Sequence, residues 1–263
     1  MGHRHPGGSR WPLGDFQLGC FEVRKTFTRP NSALVIAAHP DDAEFQCGAT
    51  LAKWTASGTT VHYLVCTDGS KGTWDPNTDQ KALAVTRESE QIAAARRLGA
   101  TGSVLFLGQV DGELQSDLAT RSQVAKAIRQ LRPEAVLGHD PWRKYRLHPD
   151  HRHAGLLAVE GVVAARDPLF FPDHGLEPHR PTALLLFEAE EPDYAEDVKG
   201  WSSIKSAALL EHRTQFATTH GIQDPNDSRQ IGEFESRVEQ QLRDAARPHG
   251  LESAELFKVI LDL

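Results

Sequence analysis

Two short clusters of histidine and aspartate stand about a hundred residues apart in the chain. The first, AHPDDAE, covers residues 38–44 and directly follows the apolar run ALVIA at residues 33–37. The second, LHPDH, covers residues 147–151. Adjacent carboxylates repel each other and are costly to bury unless a positive charge lies between them. A bound metal cation would supply that charge, and the two clusters together would supply its ligands.

The residue types in these clusters suit a catalytic zinc site. Such a site usually has three His or Asp/Glu ligands at about 2.0–2.2 Å and leaves one position for water. We predict His39, Asp42 and His151 as the ligands. Zinc lowers the pKa of its bound water to about 7, so hydroxide forms at neutral pH.

The other residues of the clusters are candidates for proton transfer. Asp41 would lie next to the bound water, where a carboxylate is suited to act as general base. His148 would act as an acid or as an oxyanion partner, and Asp150 is close enough in sequence to orient it. A single HPDD after a strand is also ordinary turn or helix-cap chemistry. The pairing of HPDD with HPDH favours the catalytic interpretation.

The segments that must position these residues alternate between strand and helix patterns. Apolar runs predict strands at about 33–38, 59–66, 103–108, 134–139, 182–189 and 256–263. Helices are predicted at about 44–57, 80–98, 116–131, 149–166, 202–217 and 229–246. Because the strands are apolar on both faces, we predict a Rossmann-like α/β fold, a mostly parallel sheet with helices on both faces in a single domain.

This fold would bring the two clusters together. In open parallel sheets, sites form outside the carboxyl ends of the strands, and each cluster follows a predicted strand. Pro149 suits the first position of a helix, which places His148 at the cap and His151 in the first turn. Residues three apart on a helix share a face, so both histidines are expected to point into one cavity.

Composition limits the other properties. The 263 residues suffice for one large domain, which we place at residues 31–263 after a leader of residues 1–30 that is expected to be partly disordered. A formal net charge of −7 gives no reason to expect a nucleic-acid partner. The leader lacks the apolar segment of a signal peptide, and no run approaches the ~18 apolar residues of a membrane span. The three cysteines form no CxxC pair, which favours a reducing cytoplasmic location.

The two motifs resemble those of the PIG-L/LmbE-like zinc deacetylases. The resemblance also includes TDG at 67–69, TRESEQIAAARRLGA at 86–100 and LGQVDGEL at 107–114, and it continues more weakly into KSAALLEHRTQF at 205–216. This family removes acetyl from N-acetylglucosaminyl groups on lipids, thiol precursors and antibiotic intermediates. The resemblance therefore implies a hydrolase that acts on a small N-acetylated amino-sugar conjugate, with Zn²⁺ as cofactor and Fe²⁺ as the alternative.

The resemblance implies the same ligands and the same base as the residue chemistry, and it adds three substrate contacts. Arg87 and Asp111 match positions that contact the sugar or its aglycone. Tyr145 corresponds to a tyrosine that aids the oxyanion in some relatives, although here it lies one position further from His148. The implied reaction is attack of metal hydroxide on the acetamide carbonyl, with Asp41 taking the proton.

Three alternatives compete with this interpretation. An amidase that cleaves a larger acyl or conjugate amide would share every site residue, so only its substrate profile would separate it. A non-catalytic sugar-binding protein would be expected to have lost the base or a ligand. A non-haem iron oxygenase would use His39 and Asp41 as its HxD pair, but the oxygenases with this pattern are β jelly rolls. The sequence leaves the aglycone and the oligomeric state open, and a homo-oligomer is compatible with it.

Overall fold

The computed structural model of the protein describes residues 26–261 and 263. Most of the predicted leader, residues 1–30, lies outside this range, so its disorder and the domain boundary stay predictions. In the described part of the chain, seven strands form one sheet in the order β3-β2-β1-β4-β5-β7-β6. The strands are β1 Ser32–Ala37, β2 Thr60–Thr67, β3 Val104–Gln109, β4 Ala135–His139, β5 Ala183–Phe187, β6 Tyr194–Asp197 and β7 Ala254–Leu261.

The first five strands are parallel, and β7 pairs antiparallel with both β5 and β6. The main helices are α1 Asp42–Ala56, α2 Gln80–Arg97, α3 Leu118–Leu131, α4 Pro149–Arg166, α5 Ser202–Leu209 and α6 Ser228–Ala246. The predicted fold class, a mostly parallel sheet with helices, is therefore confirmed. Because β1 and β4 are neighbours, the first motif and the loop that leads to the second motif leave the sheet side by side.

Helices cover both faces of the sheet, as the two-sided apolar pattern of the strands predicts. Successive side chains of a strand point to opposite faces. On one face, Val35 of β1 lies in an apolar cluster with Leu51 of α1. On the other face, Ile36 lies in a separate cluster with Val124 of α3 and Leu157 of α4. Burial on both sides fixes the end of β1, from which the first motif emerges.

Two elements differ from the sequence prediction. The helix predicted at 202–217 ends at Leu209 and is followed by a 3₁₀ turn and a short π-helix over Arg213–Gln215 and Phe216–His220. The backbone leaves the α-helical path at His212, whose buried ring lies 3.3 Å from the Glu44 carboxylate. Strand β6 was not predicted because its sequence, YAED, is short and half acidic.

Helix α1 is interrupted at Cys47, where φ is −142°. A buried ion pair satisfies the backbone groups that this break releases. Lys205 Nζ donates to the carbonyl oxygen of Phe45 at 2.6 Å, and the Glu255 carboxylate accepts from the amides of residues 49–50 at 3.1 and 2.7 Å. Lys205 and Glu255 are themselves 2.6 Å apart. The first turn of α1, which carries the second aspartate of the first motif, is thereby held by two other elements of the fold.

None of the described helices combines the length and the apolar composition that crossing a membrane requires.

Candidate metal centre and active site

The two motifs meet at the carboxyl ends of β1 and β4. Pro149 is the first residue of α4, and His148 is its N-cap, with Nδ1 accepting the backbone amide of Asp150 at 3.3 Å. This geometry agrees with the helix start predicted from the sequence. His151 lies in the first turn and faces His39, with 3.2 Å between Nε2 of the former and Nδ1 of the latter.

The three predicted metal ligands lie within contact distance of one another. Asp42 Oδ2 is 3.3 Å from His39 Nδ1, and Asp42 Oδ1 is 3.3 Å from His151 Nε2. Donor atoms at about 2.0 Å from a tetrahedral cation lie about 3.3 Å apart. The two ring nitrogens, 3.2 Å apart, have this spacing, and each of them faces a different oxygen of the Asp42 carboxylate. The donor set of two imidazoles and a carboxylate is one that zinc accepts.

A further histidine, which the sequence reasoning missed, also borders the centre. His139, the last residue of β4, is buried, and its Nε2 lies 3.4 Å from Asp42 Oδ2. Potential ligand atoms of Asp42, His139 and His151 lie within 4.8 Å of one another, as do those of His39, His148 and His151. The position of His139 at the end of the strand next to β1 was the signal that could have identified it.

Asp41 is held in an unfavourable backbone conformation. Its φ of 107° is in the left-handed region, which costs a residue other than glycine about 1–3 kcal/mol and persists only where the surroundings enforce it. The Asp41 amide donates to Gln91 Oε1 at 3.0 Å. Arg87 Nη2 lies 3.3 Å from Asp41 Oδ2 and also donates to the carbonyl oxygen of Pro40 at 2.6 Å. With these contacts the Asp41 carboxylate lines the same cavity as the predicted metal ligands.

The two adjacent aspartates have opposite pKa shifts. Burial raises the pKa of the Asp41 carboxyl and the charge of Arg87 opposes it, with a net pKa of about 6. Burial also acts to raise the pKa of Asp42, but His139 and His39 outweigh it and hold that pKa well below its ordinary value. Neighbouring groups whose pKa values are pushed apart are typical of acid–base sites. Asp42 is suited to remain an anionic ligand, and Asp41 is suited to exchange a proton.

The second ring nitrogen of His39 faces two carboxylates. His39 Nε2 is 3.2 Å from both Asp111 Oδ1 and Asp150 Oδ2. These side chains outweigh the effect of burial and raise the pKa of His39 well above its ordinary value. A histidine that donates one ring N–H to a carboxylate presents its other nitrogen to a metal. The contacts therefore turn Nδ1 of His39 towards Asp42 and His151.

The place of Asp150 differs from the expectation that it orients His148. Its buried carboxylate accepts the amides of Gly112 at 2.6 Å and Leu114 at 3.3 Å and lies against His39. The reason is geometric, because the first turn of α4 directs the side chain of Asp150 inward while His148 remains exposed at the cap. Asp150 contacts His148 through its backbone amide.

A cavity of about 490 Å³ lies over the site. Its lining includes the three predicted metal ligands together with Asp41, Arg87, Asp111, His148, Phe45, Gln46 and Gln215. Partial burial and the charge of His39 lower the pKa of His148. Because His148 lines the cavity with the predicted metal ligands and is exposed, it is accessible from both the predicted metal position and solvent.

The three predicted substrate contacts fall in different places. Arg87 lines the cavity, but it is buried and donates to the backbone oxygens of Gly69 and Pro40 as well as facing Asp41. Asp111 also lines the cavity, with Oδ2 accepting the amide of Lys71 at 3.1 Å. Tyr145 is 93% exposed and is not among the residues lining the cavity, so the structure does not bring it to the site.

An inner layer of polar residues lies behind Asp41 and was also missed. Glu44, the last residue of AHPDDAE, is fully buried, and its carboxylate accepts Gln91 Nε2 at 2.9 Å. The other carboxylate oxygen lies 3.3 Å from Nε2 of the buried His212. Glu44 lies in AHPDDAE and His212 lies in KSAALLEHRTQF. Their contact joins distant parts of the chain, so no local sequence pattern predicts it.

Comparison with known proteins identifies the family. The family described as PIG-L, GlcNAc-PI de-N-acetylase, matches residues 34–162. The chain is 37% identical over 199 residues to the diacetylchitobiose deacetylase of Thermococcus kodakarensis, covering 74% of each protein. The chain belongs to the PIG-L family. The matched segment contains both motifs.

Other relatives extend this comparison. The N,N′-diacetylchitobiose deacetylase of Pyrococcus horikoshii, solved with an inhibitor, superimposes with a TM-score of 0.80 at 29% identity, covering 92% of this chain and 88% of that one. The 4-oxalmesaconate hydratase of Pseudomonas putida is 29% identical over 224 residues, covering 78% of this chain and 83% of that protein. A protein with a different kind of reaction is thus also similar to this PIG-L family member.

Proposed function

We propose that this PIG-L family protein is a metal-dependent hydrolase that removes the N-acetyl group from an N-acetylglucosamine-type sugar conjugate. The observation that carries the proposal is that ring nitrogens of His39 and His151 lie 3.2 Å apart and each lies 3.3 Å from an oxygen of Asp42, with the Asp41 carboxylate on the same cavity. The names of two similar deacetylases support the substrate class.

The donor set fits a divalent cation. His39, Asp42 and His151 would hold Zn²⁺, with Fe²⁺ as the alternative, and the donor types and spacing are those of a three-ligand catalytic site. A cation held there would lower the pKa of a water and polarise the acetamide carbonyl. The carboxylates of Asp111 and Asp150 fix the ring of His39 so that Nδ1 points to this position.

Proton transfer falls to Asp41 and His148. Asp41 takes the proton of the attacking water, since its carboxylate faces the cavity and the charge of Arg87 holds it in position. His148 stands on the same cavity with its ring 4.6 Å from that of His39, and it stabilises the oxyanion or gives a proton to the departing amine. A positioned acid or base of this kind typically contributes about 10²–10⁴-fold to the rate.

The sugar occupies the cavity above these residues. Carboxylate oxygens accept hydrogen bonds from sugar hydroxyls, and Asp111 presents its carboxylate to the cavity while also contacting His39 and the amide of Lys71. Substrate binding at Asp111 would thus act next to a metal ligand. We assign no substrate contact to Tyr145 in this proposal because its side chain is almost fully exposed.

The test is a substrate panel with the zinc-reconstituted protein. Acetate release would be measured from N,N′-diacetylchitobiose, N-acetylglucosamine and its glycosides. Butyrate release would be measured from the matching N-butyryl compounds, and loss of the double bond from 4-oxalmesaconate. We expect acetate release from the N-acetyl sugars to be the fastest reaction. A preference for the N-butyryl compounds would favour an amidase for larger acyl groups, and hydration of 4-oxalmesaconate without any deacetylation would overturn the proposal.

A further inference from the structure

One carboxylate in the described part of the chain contacts both the candidate metal centre and the loop between β4 and α4. This loop, residues 140–148, is called the rim loop here. Glu188 directly follows β5 at the carboxyl end of the strand next to β4. Its φ of 55° is in the left-handed region, which is unfavourable for a residue with a Cβ atom and requires contacts that hold it there.

The Oε2 atom of Glu188 faces two histidines of the centre. It lies 3.1 Å from Nδ1 of the buried His139 and 3.9 Å from Nδ1 of His151. The opposite nitrogens of both rings face Asp42, at 3.4 Å and 3.3 Å. His151 Nδ1 is buried and has no hydrogen-bond partner within the described residues, so Glu188 is its nearby candidate acceptor. A carboxylate on the outer nitrogen of a metal-ligating histidine orients the ring and raises its basicity.

The Oε1 atom of Glu188 faces the rim loop. It accepts from Arg146 Nη1 at 2.6 Å and lies 3.7 Å from Arg143 Nη1, while the backbone oxygen of Glu188 accepts from Arg143 at 3.3 Å. The carboxylate is about nine-tenths buried, so these charge-assisted contacts are only weakly screened by solvent. The same side chain is therefore held from the loop side and from the histidine side.

We propose that Glu188 is a positioning residue that couples the rim loop to the metal centre. Its Oε2 orients His139 and His151, and its Oε1 anchors the loop through Arg146. This inference rests on the metal site of the proposed function. It implies that a change in the position of the rim loop changes the orientation of the histidines, and so the affinity for the metal.

The test measures metal affinity rather than turnover. Zn²⁺ affinity is determined by competition with a chromophoric chelator, and the visible spectrum of the Co²⁺-loaded protein reports ligand geometry. Glu188→Gln keeps the shape of the side chain but loses its charge. We expect its Zn²⁺ affinity to fall by about 10–100-fold, the usual cost of losing an outer-shell partner. If Glu188→Gln does not fold, Glu188→Asp is the second variant. It keeps the charge but places it one methylene further from the two histidines, so its Zn²⁺ affinity should fall by a smaller factor.

Glu190→Gln is the matched control. Its carboxylate accepts the amide of Lys144 on the rim loop at 3.3 Å and has no recorded contact with the histidines in the described structure. The same carboxylate lies 3.7 Å from Lys144 Nζ, and both side chains are exposed. We expect the metal affinity of Glu190→Gln to stay within about twofold of the wild type, because an exposed charge pair contributes little. An equal loss in both variants would mean that loop charge alone sets the affinity, and would overturn the assignment to Glu188.

A double-mutant comparison tests the coupling to the loop. Arg146→Gln should weaken Zn²⁺ binding less than Glu188→Gln and should add nothing in the Glu188→Gln background, because contacting residues that act together are non-additive. Unchanged affinity in Glu188→Gln, or fully additive effects, would overturn the inference. These outcomes differ from failure of the proposed function, in which the wild-type protein itself would bind no divalent metal or release no acetate.

Discussion

The two motifs that form the candidate site are held in different ways. His39, Asp41 and Asp42 of the first motif are no more than 7% exposed, and side chains from α2, α4 and the loop after β3 contact them. In the second motif His148 is exposed, and the preceding Leu147 is 92% exposed. His151, in the first turn of α4, is partly buried, and its Nε2 lies 3.2 Å from Nδ1 of His39 in the first motif.

This difference suggests a division of work between the motifs. Buried and over-determined contacts suit the residues that must hold a cation and a base at fixed distances, as second-layer hydrogen bonds do in metal sites. An exposed histidine on the rim of the cavity suits a step at the substrate. Variants of the first motif should therefore affect metal binding and proton abstraction, and variants of His148 should affect the later proton transfer.

The largest effect is expected from removal of a first-motif ligand. His39→Ala deletes a donor, and the buried carboxylates of Asp111 and Asp150 lose their contact with the imidazole and keep only their backbone amides. We expect metal content near zero and an acetate-release rate no higher than that of chelator-treated wild type. Metal analysis and rate measurement on the same sample check this. Full activity of either the variant or the metal-free wild type would contradict the account.

A smaller effect is expected from the exposed histidine of the second motif. His148→Gln should retain the metal and lower kcat by about 10²-fold, at the low end of the range for a lost general acid. Metal content and kcat are compared with those of the wild type. A potential ligand atom of His148 lies within 4.8 Å of those of His39 and His151, so a loss of metal as severe as that of His39→Ala would show that His148 is a ligand instead.

A still smaller effect is expected from substitution of Gln91, which contacts the backbone of the candidate base Asp41. Gln91→Ala removes the acceptor of the Asp41 amide and the partner of Glu44. We expect the free energy of unfolding to fall by about 1–3 kcal/mol, the cost of leaving a buried polar group unsatisfied. We also expect kcat to fall by about tenfold with the metal retained, because the left-handed backbone of Asp41 loses one of its supports. Urea unfolding and kcat measurements test both parts, and an unchanged kcat would remove Gln91 from the positioning of Asp41.

The smallest effect is expected at the outer edge of the second motif. Tyr145→Ala changes a side chain that is 93% exposed and does not line the cavity. We expect kcat/KM for N,N′-diacetylchitobiose to change by less than about threefold, as is usual for surface substitutions away from a site. A hundredfold loss of kcat/KM would show that Tyr145 contributes to the site, as the sequence resemblance implies.

The sequence was most informative where local patterns carry the structure. The apolar strands and the helices between them predicted the sheet, and Pro149 after His148 predicted the start of α4. The meeting of the two motifs followed from the rule that sites form at the carboxyl ends of parallel strands. By contrast, no local pattern predicted β6, which pairs with the distant β7, or the early end of α5, after which His212 contacts the distant Glu44.

The roles of single carboxylates were the hardest to predict. Asp150 is two residues from His148 in sequence, yet its carboxylate contacts His39, because the direction of a side chain in the first turn of a helix depends on what packs against that turn. Glu188 and His139 stand at the ends of neighbouring strands, but their contact with each other requires the three-dimensional register of β4 and β5. Sequence spacing predicted that the two motifs would meet at one edge of the sheet, but it missed His139, misplaced Tyr145 and did not predict which partner each carboxylate would have.

The most direct test of the account compares the adjacent carboxylates Asp41 and Asp42. Metal content and acetate-release rate are measured for Asp41→Asn and Asp42→Asn, with and without added Zn²⁺. We predict that Asp41→Asn keeps near-normal metal with kcat reduced by about 10²–10⁴-fold, and that added Zn²⁺ does not rescue it. Asp42→Asn should lose metal and be partly rescued by added Zn²⁺. Loss of metal in Asp41→Asn with retention in Asp42→Asn would reverse the two roles, and full activity of both variants would contradict the catalytic site itself.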